Sequence, residues 1–380
     1  MGDYIYRADN IGDAFDQAGI ATRKNVIPAW RDEWRMMPEY SPSERTRARK
    51  ILVSFETEND VDDFFDRIRM GHTKSTRFIW YPESEDQDQA KYIYRDNCSV
   101  MPRYPVYIIS KGRWETRHTV LSLDRIKVPY LIVVEPSEYD RYANVIDKDK
   151  ILRAPENFSE RGCGSVPVRN FVWQHAVESG AEKHWLLDDN INGFIRIRNH
   201  QRLRVYASSI FRMCEDFTDR YENIAFSGFN ARWYARPAPT LPAFYLNSRV
   251  YSCTLINNCL SYRWRGRYNE DTDIILRALK DGWCTITINA IAINKAASMT
   301  ISGGNTDSIY NTGDKRFEFA KSLERQHPDV VRAVWREDLG RWHHKVDYSP
   351  FAVNKLVRIS DDVIPPSIYN YGMDLAEEKS

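Results

Sequence analysis

The stretch His184-Trp-Leu-Leu-Asp188-Asp189-Asn190-Ile191 decides how the chain is read: an apolar strand runs straight into two carboxylates and an amide. A short apolar run ended by turn-forming residues has the pattern of a strand buried on both faces, as in a parallel sheet. Open α/β sheets bind ligands just beyond the carboxyl ends of their strands. Carboxylates there suit a divalent cation and the phosphates it carries, since magnesium and manganese bind through one or two carboxylates plus substrate phosphate. The stretch therefore predicts a nucleotide site at Asp188, Asp189 and Asn190. The same residues are good turn formers, and it is the position at a sheet edge that favours the ligand.

Upstream, strands and helices alternate: strand 106–110, helix 114–125, strand 130–135, helix 137–145, strand 150–153, and a helix over 168–179 that Gly180 can terminate. This alternation calls for a parallel sheet covered by helices on both faces. Right-handed crossovers put the strands' carboxyl ends on one edge. There Ser110-Lys111-Gly112-Arg113, Glu135-Pro136, the glycine-rich Arg161-Gly-Cys-Gly-Ser165 and Asp188-Asp189-Asn190 should meet. Small residues allow close backbone approach, and cations meet phosphate. No GxxxxGK[ST] or GxGxxG occurs, so neither a P-loop nor a dinucleotide-binding fingerprint is indicated.

Downstream the pattern loosens into a strand at 193–198, a long helix at 205–221, a strand at 224–229 and a strand or hairpin within 245–257. Asn269-Glu270-Asp271-Thr272-Asp273 then opens a helix carrying Ile274, Ile275 and Leu279; a strand at 284–293 and a helix near 315–324 follow. Before the alternating region, a strand at 51–55, a helix at 58–70 and a strand at 75–81 lead into an acidic linker at 83–90. The expected division is an N-terminal arm (1–48), a small strand-helix-strand appendage (49–98), the main α/β domain (99–300) and a helical extension with tail (301–380). Lys and Arg number 54 against 53 Asp and Glu, and the resulting +1 argues against general attraction to polyanions while leaving local basic surfaces open. No apolar run approaches the roughly 20 residues of a membrane span, and a signal-peptide core is missing, so a cytoplasmic protein with no membrane partner is expected. The six cysteines include no CxxC pair, so neither a zinc knuckle nor a disulfide framework is indicated.

An apolar strand ending in Asp-x-Asn, followed later by Asn-Glu-Asp at a helix start, resembles a GT-A glycosyltransferase. Residues 105–294 more specifically resemble the phage-encoded TET-associated glycosyltransferases, which decorate hydroxymethylated cytosine in DNA. The residues that carry this are Tyr107-Ile-Ile-Ser-Lys-Gly-Arg113, Val168-Arg-Asn170, Trp185-Leu-Leu-Asp-Asp-Asn190 and Asn269-Glu-Asp271. Residues 51–82 resemble, more loosely, a segment found fused to phage DNA-modification proteins. The resemblance implies a GT-A-like open mixed, mainly parallel sheet with helices on both faces and a small N-terminal α+β appendage. It also implies a sugar transferred from a nucleotide-sugar, a UDP-sugar being the expected donor, to the hydroxyl of hydroxymethylcytosine in phage DNA.

Under this resemblance Asp188, Asp189 and Asn190 hold Mn2+ or Mg2+ on the donor diphosphate, Asn190 standing where the usual DxD motif has its last carboxylate. His343 is the candidate late ligand, with His344 beside it. Ser110, Lys111, Arg113, Arg169, Asn170 and Asp188 contact the nucleotide. Asp271, with Glu270 beside it, takes the proton of the acceptor hydroxyl and inverts the anomeric centre. Acidic residues in a first helical turn also stabilise the helix dipole, by roughly 0.3–1 kcal/mol, and Asp273 is expected to be a structural member.

Two basic runs, Arg196-Ile-Arg198-Asn-His-Gln-Arg202-Leu-Arg204 and Tyr262-Arg263-Trp264-Arg265-Gly-Arg267-Tyr268, follow the strand-end motif and precede the expected base. Cations there would neutralise backbone phosphates and aromatic rings would stack on exposed bases; a base inside a duplex has to be reached in the groove or flipped out. Alternating arginine is equally the pattern of a half-exposed strand. Two other readings stay open: a glycosyltransferase with a protein, lipid or small-molecule acceptor, and a catalytically silent DNA-binding module.

Overall fold

A computed structural model describes residues 30–42, 51–72, 76, 79, 81, 91–97, 100–199, 201–238, 240–295, 315–337, 340–362, 366 and 368–378. The strands are β1 (Tyr92–Arg95), β2 (Val106–Ile109), β3 (Leu131–Val134), β4 (Ile151–Arg153), β5 (Lys183–Asp188), β6 (Ile191–Arg198) and β7 (Gln201–Tyr206), then β8 (Ile224–Ala231), β9 (Phe244–Leu246), β10 (Cys253–Asn257), β11 (Cys284–Lys295), β12 (Val331–Arg336), β13 (Arg341–Val346) and β14 (Asp374–Glu377). The helices are α1 (Trp30–Glu33), α2 (Glu58–Ile68), α3 (His118–Arg125), α4 (Tyr139–Ala143), α5 (Val166–Glu178), α6 (Ser209–Thr218), α7 (Glu270–Lys280) and α8 (Arg316–Gln326).

Twelve strands form one sheet in the order β14-β1-β7-β6-β11-β8-β10-β5-β2-β3-β4, with β9 against β11. β4, β3, β2 and β5 are parallel neighbours. Antiparallel β10 lies between β5 and β8, and β8 is parallel to β11. β5, β8 and β11 therefore run the same way and end on the same edge. This is the expected α/β architecture with a mixed sheet.

The strand periodicity explains why both faces are covered. Ile108, Ile132, Trp185 and Leu187 pack with Val120, Leu123, Phe211 and Phe217 of α3 and α6 on one face. Tyr107, Val133 and Leu186 pack with Val172, Trp173, Ile274 and Leu279 of α5 and α7 on the other. Neighbouring residues of a strand point to opposite faces, so a continuous apolar run buries itself twice, each full burial worth about 1.5–3 kcal/mol. One polar lock fixes β5 in particular: buried Glu215 of α6 accepts from the Trp185 indole nitrogen (2.8 Å) and the Arg103 backbone nitrogen (2.7 Å).

Several expectations are corrected. Residues 205 and 206 belong to β7 rather than a helix over 205–221, because Leu203 and Val205 are buried while Arg204 is exposed, a period of two; α6 starts only at Ser209. Residues 51–55 are exposed and form no strand among the described residues. The expected strand at 75–81 lies outside the described residues except at 76, 79 and 81, and the linker at 83–90 and most of the arm lie outside them entirely. The C-terminal region is not only helical: β12 and β13 pair as a hairpin after α8, and β14 joins the central sheet beside β1. The sheet thus takes in residues on both sides of 99–300. No helix among the described residues is long and apolar enough to cross a membrane.

Candidate active site at the carboxyl edge of the sheet

Asp188 ends β5, and its backbone is fixed on both sides. Its carbonyl accepts from Thr119 Oγ1 (2.6 Å) and its nitrogen donates to the Ser252 carbonyl (2.8 Å). Each carboxylate oxygen meets a cation: Oδ1 lies 3.3 Å from Arg169 Nη2 and Oδ2 3.0 Å from Lys295 Nζ. Burial alone would raise the pKa of this carboxyl group, but Lys295 and Arg169 outweigh it and hold the group below the usual carboxylate range. Lys295 is the last residue of β11, so two parallel strands deliver the pair to one place.

Asp189 turns the other way. It accepts from Ser110 Oγ (2.9 Å) and pairs with Arg113, while Tyr142 OH bonds Ser110 Oγ (2.6 Å) and accepts from the Arg113 nitrogen (3.1 Å). Burial pushes its pKa up despite Arg113. Lys111 pairs with Glu135 (3.4 Å), and the Gly112 nitrogen donates to Glu138 (2.9 Å). The 110–113 loop is thereby a braced wall of the edge.

Opposite it, the glycine-rich loop and α7 close in. Gly164 has φ +65, and a Cβ there would come within 3.1 Å of the Arg267 carbonyl, so glycine lets this loop lie against the 263–268 segment. Ser165 Oγ donates to Glu270 Oε1 (2.6 Å) and accepts from Arg169 Nε (3.1 Å), which also lies 3.5 Å from Glu270. The contacts Asp188–Arg169–Ser165–Glu270 thus join the strand end to the first turn of α7, residues far apart in sequence. Burial raises the Glu270 pKa, opposed by Arg169 and reinforced by Asp271. Asp271 accepts from its own helix at the Thr272 nitrogen (2.8 Å) and lies 3.9 Å from Arg249 Nε. Arg249 and Lys295 both lie over the Tyr251 ring, at 4.3 and 5.5 Å, which closes the circuit back to Asp188.

Residues 104–304, more than half of the chain, match the family model described as TET-Associated Glycosyltransferase. The chain belongs to the TET-associated glycosyltransferase family. It is accordingly a glycosyltransferase, as the motif order at Asp188 and Asp271 implied. No curated protein matches it.

In this TET-associated glycosyltransferase several expected site residues serve the fold instead. Asn170 spends both amide atoms on the Trp264 backbone, donating to its carbonyl and accepting from its nitrogen, each at 2.9 Å. It positions the 263–268 segment rather than a nucleotide. The Trp264 ring is buried beneath the Arg169 guanidinium, 5.0 Å from its centroid, which leaves no face for a base. Arg196 is 2% exposed and donates to the Glu39 carbonyl (2.6 Å) and Asn370 (2.9 Å), so it is a core tie and not a phosphate contact. Arg263 lies over the buried Trp173 ring and donates to the Leu260 carbonyl (2.8 Å). Arg204 pairs with Glu378 and Arg265 with Asp273. Arg198 and Arg202 are half-buried, and Arg267 is exposed.

Sequence reasoning missed Lys295, Arg249 and the segment Arg232-Trp-Tyr-Ala-Arg236, and placed Ser165 at this edge only as part of its glycine-rich loop. Two carried a visible signal: Lys295 and Arg232 sit just where apolar strands end, the same placement that singled out Asp188.

The expected metal ligands do not assemble. Asp188 has a cation on each oxygen, Asp189 is taken by Arg113 and Ser110, and His343 sits on β13 with its Nδ1 against the His344 carbonyl (2.7 Å). Burial lowers the His343 pKa, with the His344 carbonyl opposing and Arg249 reinforcing. Among the described residues Asn190 Oδ1 is buried without a hydrogen-bond partner, and one neutral oxygen is a poor seat for a divalent ion. Among the described residues no group of three or more His, Cys, Asp or Glu converges as a metal site. A dication at Asp188 would stand against two fixed cations, and like charges at such range repel by several kcal/mol even at an effective dielectric of about 20. The residues present do not fit the ion.

Proposed function

We propose that the protein transfers a sugar from a nucleotide-sugar to the hydroxymethyl oxygen of hydroxymethylcytosine in phage DNA, in the host cytoplasm. The observation that carries this reading is the Asp188–Arg169–Ser165–Glu270 connection, which brings a cation-flanked strand end and a pair of carboxylates to one edge. A nucleotide diphosphate leaves from the cationic side. The acceptor oxygen attacks the anomeric carbon, and a carboxylate of the Glu270–Asp271 pair takes its proton. Inversion follows from a single displacement of this kind. A general base works best with a pKa near the operating pH, which favours Glu270 with its raised pKa, whereas Asp271, nearer Arg249, is the base the motif order suggested.

Support for a DNA acceptor comes from Arg232, Arg236 and half-buried Trp233 at the end of β8, beside Arg202. Burial first, then Arg232 and Arg236, lower the Arg202 pKa, which marks a crowd of like charge. The internal use of Arg196, Arg263 and Trp264 favours a second reading, the same chemistry on a small-molecule acceptor. Incubation with hydroxymethylated DNA and a panel of UDP-, GDP- and ADP-sugars, followed by digestion and nucleoside mass analysis, separates them. A hexose or pentose gain on hydroxymethyl-deoxycytidine is expected; donor consumption with unmodified DNA would leave the second reading.

A further inference from the structure

We infer that Lys295, together with Arg169, is the seat of the donor diphosphate and makes nucleotide binding independent of a divalent metal. This rests on the nucleotide-sugar reading of the same site.

Both cations are held before any ligand arrives. Lys295 has an 8% exposed side chain and is fixed by Asp188 Oδ2 (3.0 Å) and Ser252 Oγ (2.6 Å); an ammonium group has three hydrogens, so one remains. Arg169, 12% exposed, uses Nε on Ser165 and Nη2 on Asp188, and its Nη1 makes no hydrogen bond among the described residues. The unused donors belong to two groups that grip opposite oxygens of a single carboxylate. Two donors on two separate cations suit a diphosphate, which offers oxygens on both of its phosphates.

Charge follows the same logic. Asp188 brings one negative charge against two positive ones. Glu270, 3.5 Å from Arg169 Nε, accepts from the Ser165 hydroxyl and has its pKa raised by burial. A diphosphate arriving here exchanges no contact that the cations need, because Asp188 keeps them in place while the spare donors turn to phosphate. Charge-assisted bonds from preorganised donors then stabilise the leaving group as the glycosidic bond breaks. Asp188 acts as the anchor of the two cations rather than as the ligand of a metal.

The test is calorimetric titration of the full chain with UDP, GDP, ADP and CDP, each in EDTA and in manganese. At least one nucleotide should bind in EDTA with an affinity close to that in manganese. Lys295→Met should weaken it about ten- to a hundredfold, the loss of one charge-assisted bond, and Lys295→Arg should recover most of that. Circular dichroism melts confirm that both variants are folded, and if Lys295→Met is not, the EDTA titration of the unaltered chain and Lys295→Arg decide. Binding that vanishes in EDTA and returns with manganese overturns the inference and leaves the nucleotide-sugar reading standing. So does EDTA-resistant binding that Lys295→Met leaves unchanged, since Lys295 is then a structural partner only. A folded chain that binds no nucleotide with or without manganese overturns both.

Discussion

Asp273 and Asp188 are each flanked by two arginine or lysine side chains, and they do different things. Asp273 of α7, 1% exposed, meets Arg265 (3.0 Å), Arg277 (3.0 Å) and His327 Nε2 (2.9 Å), just beyond α8. Asp188, 24% exposed, meets Arg169 and Lys295 at the open edge of the sheet. In both, burial would raise the pKa and the partners bring it below the ordinary value. What separates them is closure. Asp273 is saturated inside a staple between two helices, while the partners of Asp188 keep donors in reserve, so one cluster stabilises the fold and the other is ready for an anion.

The largest effect should come from breaking the closed cluster. Asp273→Asn leaves Arg277 and half-exposed Arg265 without their counter-charge, and unmaking a buried ion pair costs about 3–5 kcal/mol. Urea unfolding should show a loss of this order, with transfer activity per folded molecule nearly unchanged. A carboxyl group whose folded pKa is depressed contributes stability above its unfolded value of about 3.9 and loses it as pH falls toward the folded value. The unaltered chain should therefore lose stability on acidification below about pH 5 more steeply than Asp273→Asn does. Equal slopes would mean that Asp273 titrates alike in both states.

The open cluster should answer in rate instead. Asp188→Asn releases Lys295 and Arg169 from their anchor, and loss of preorganised charge stabilisation of this type costs about 10²–10³-fold in kcat. Melting should fall less than in Asp273→Asn, because Asp188 is 24% exposed against 1% for Asp273 and solvent takes up part of the lost pairing. A variant that melts far lower yet transfers normally would make Asp188 a second structural staple and erase the contrast.

Next in size is the pH dependence of the base. Removing a general base costs about 10²–10⁴-fold, and the log of kcat/KM rises with pH through the pKa of the group that must be ionised. Because the Glu270 pKa is raised, that rise should sit above the normal carboxylate range and vanish in Glu270→Gln, while Asp271→Asn keeps it. The reverse pattern assigns the proton to Asp271.

The difference between the clusters also explains what the sequence could tell. The strand end at Asp188 was legible, because three apolar residues, Trp185, Leu186 and Leu187, followed by Asp-Asp-Asn fix both the burial of β5 and the place where it stops. The start of α7 was legible for the same reason, an acidic first turn before Ile274, Ile275 and Leu279. What those carboxylates face was not, since Lys295, Arg169 and Arg249 arrive from three other elements and only tertiary packing pairs them. The arginine runs misled because alternation encodes exposure only when the neighbouring strand and the termini leave a face open. Here Glu39 and Asn370, both remote in sequence, bury Arg196. The helix expected over 205–221 failed through a local ambiguity: Leu203 and Val205 continue a two-residue period that helix periodicity from Ile210 onward masks.

The smallest effect should separate arginines that are paired from those that are crowded. Arg204 already has its counter-charge in Glu378, whereas the guanidinium of Arg232, exposed at the end of β8, donates to the neutral Asn294 Oδ1 (3.1 Å) and contributes to the like-charge field on Arg202. A DNA backbone would relieve that crowding, and each phosphate neutralised contributes about 0.9 to the slope of log affinity against log salt, or about 0.7 on a single strand. Arg232→Ala should therefore weaken DNA binding by a few-fold for any sequence and lower the salt slope by about one unit. Arg204→Ala should change neither, because its charge is already compensated within the protein. Fluorescence anisotropy over a salt series reads both quantities. If Arg232→Ala leaves the slope unaltered, the β8 segment does not meet phosphate, and the acceptor surface has to be sought on the exposed side of Arg265 and Arg267 instead.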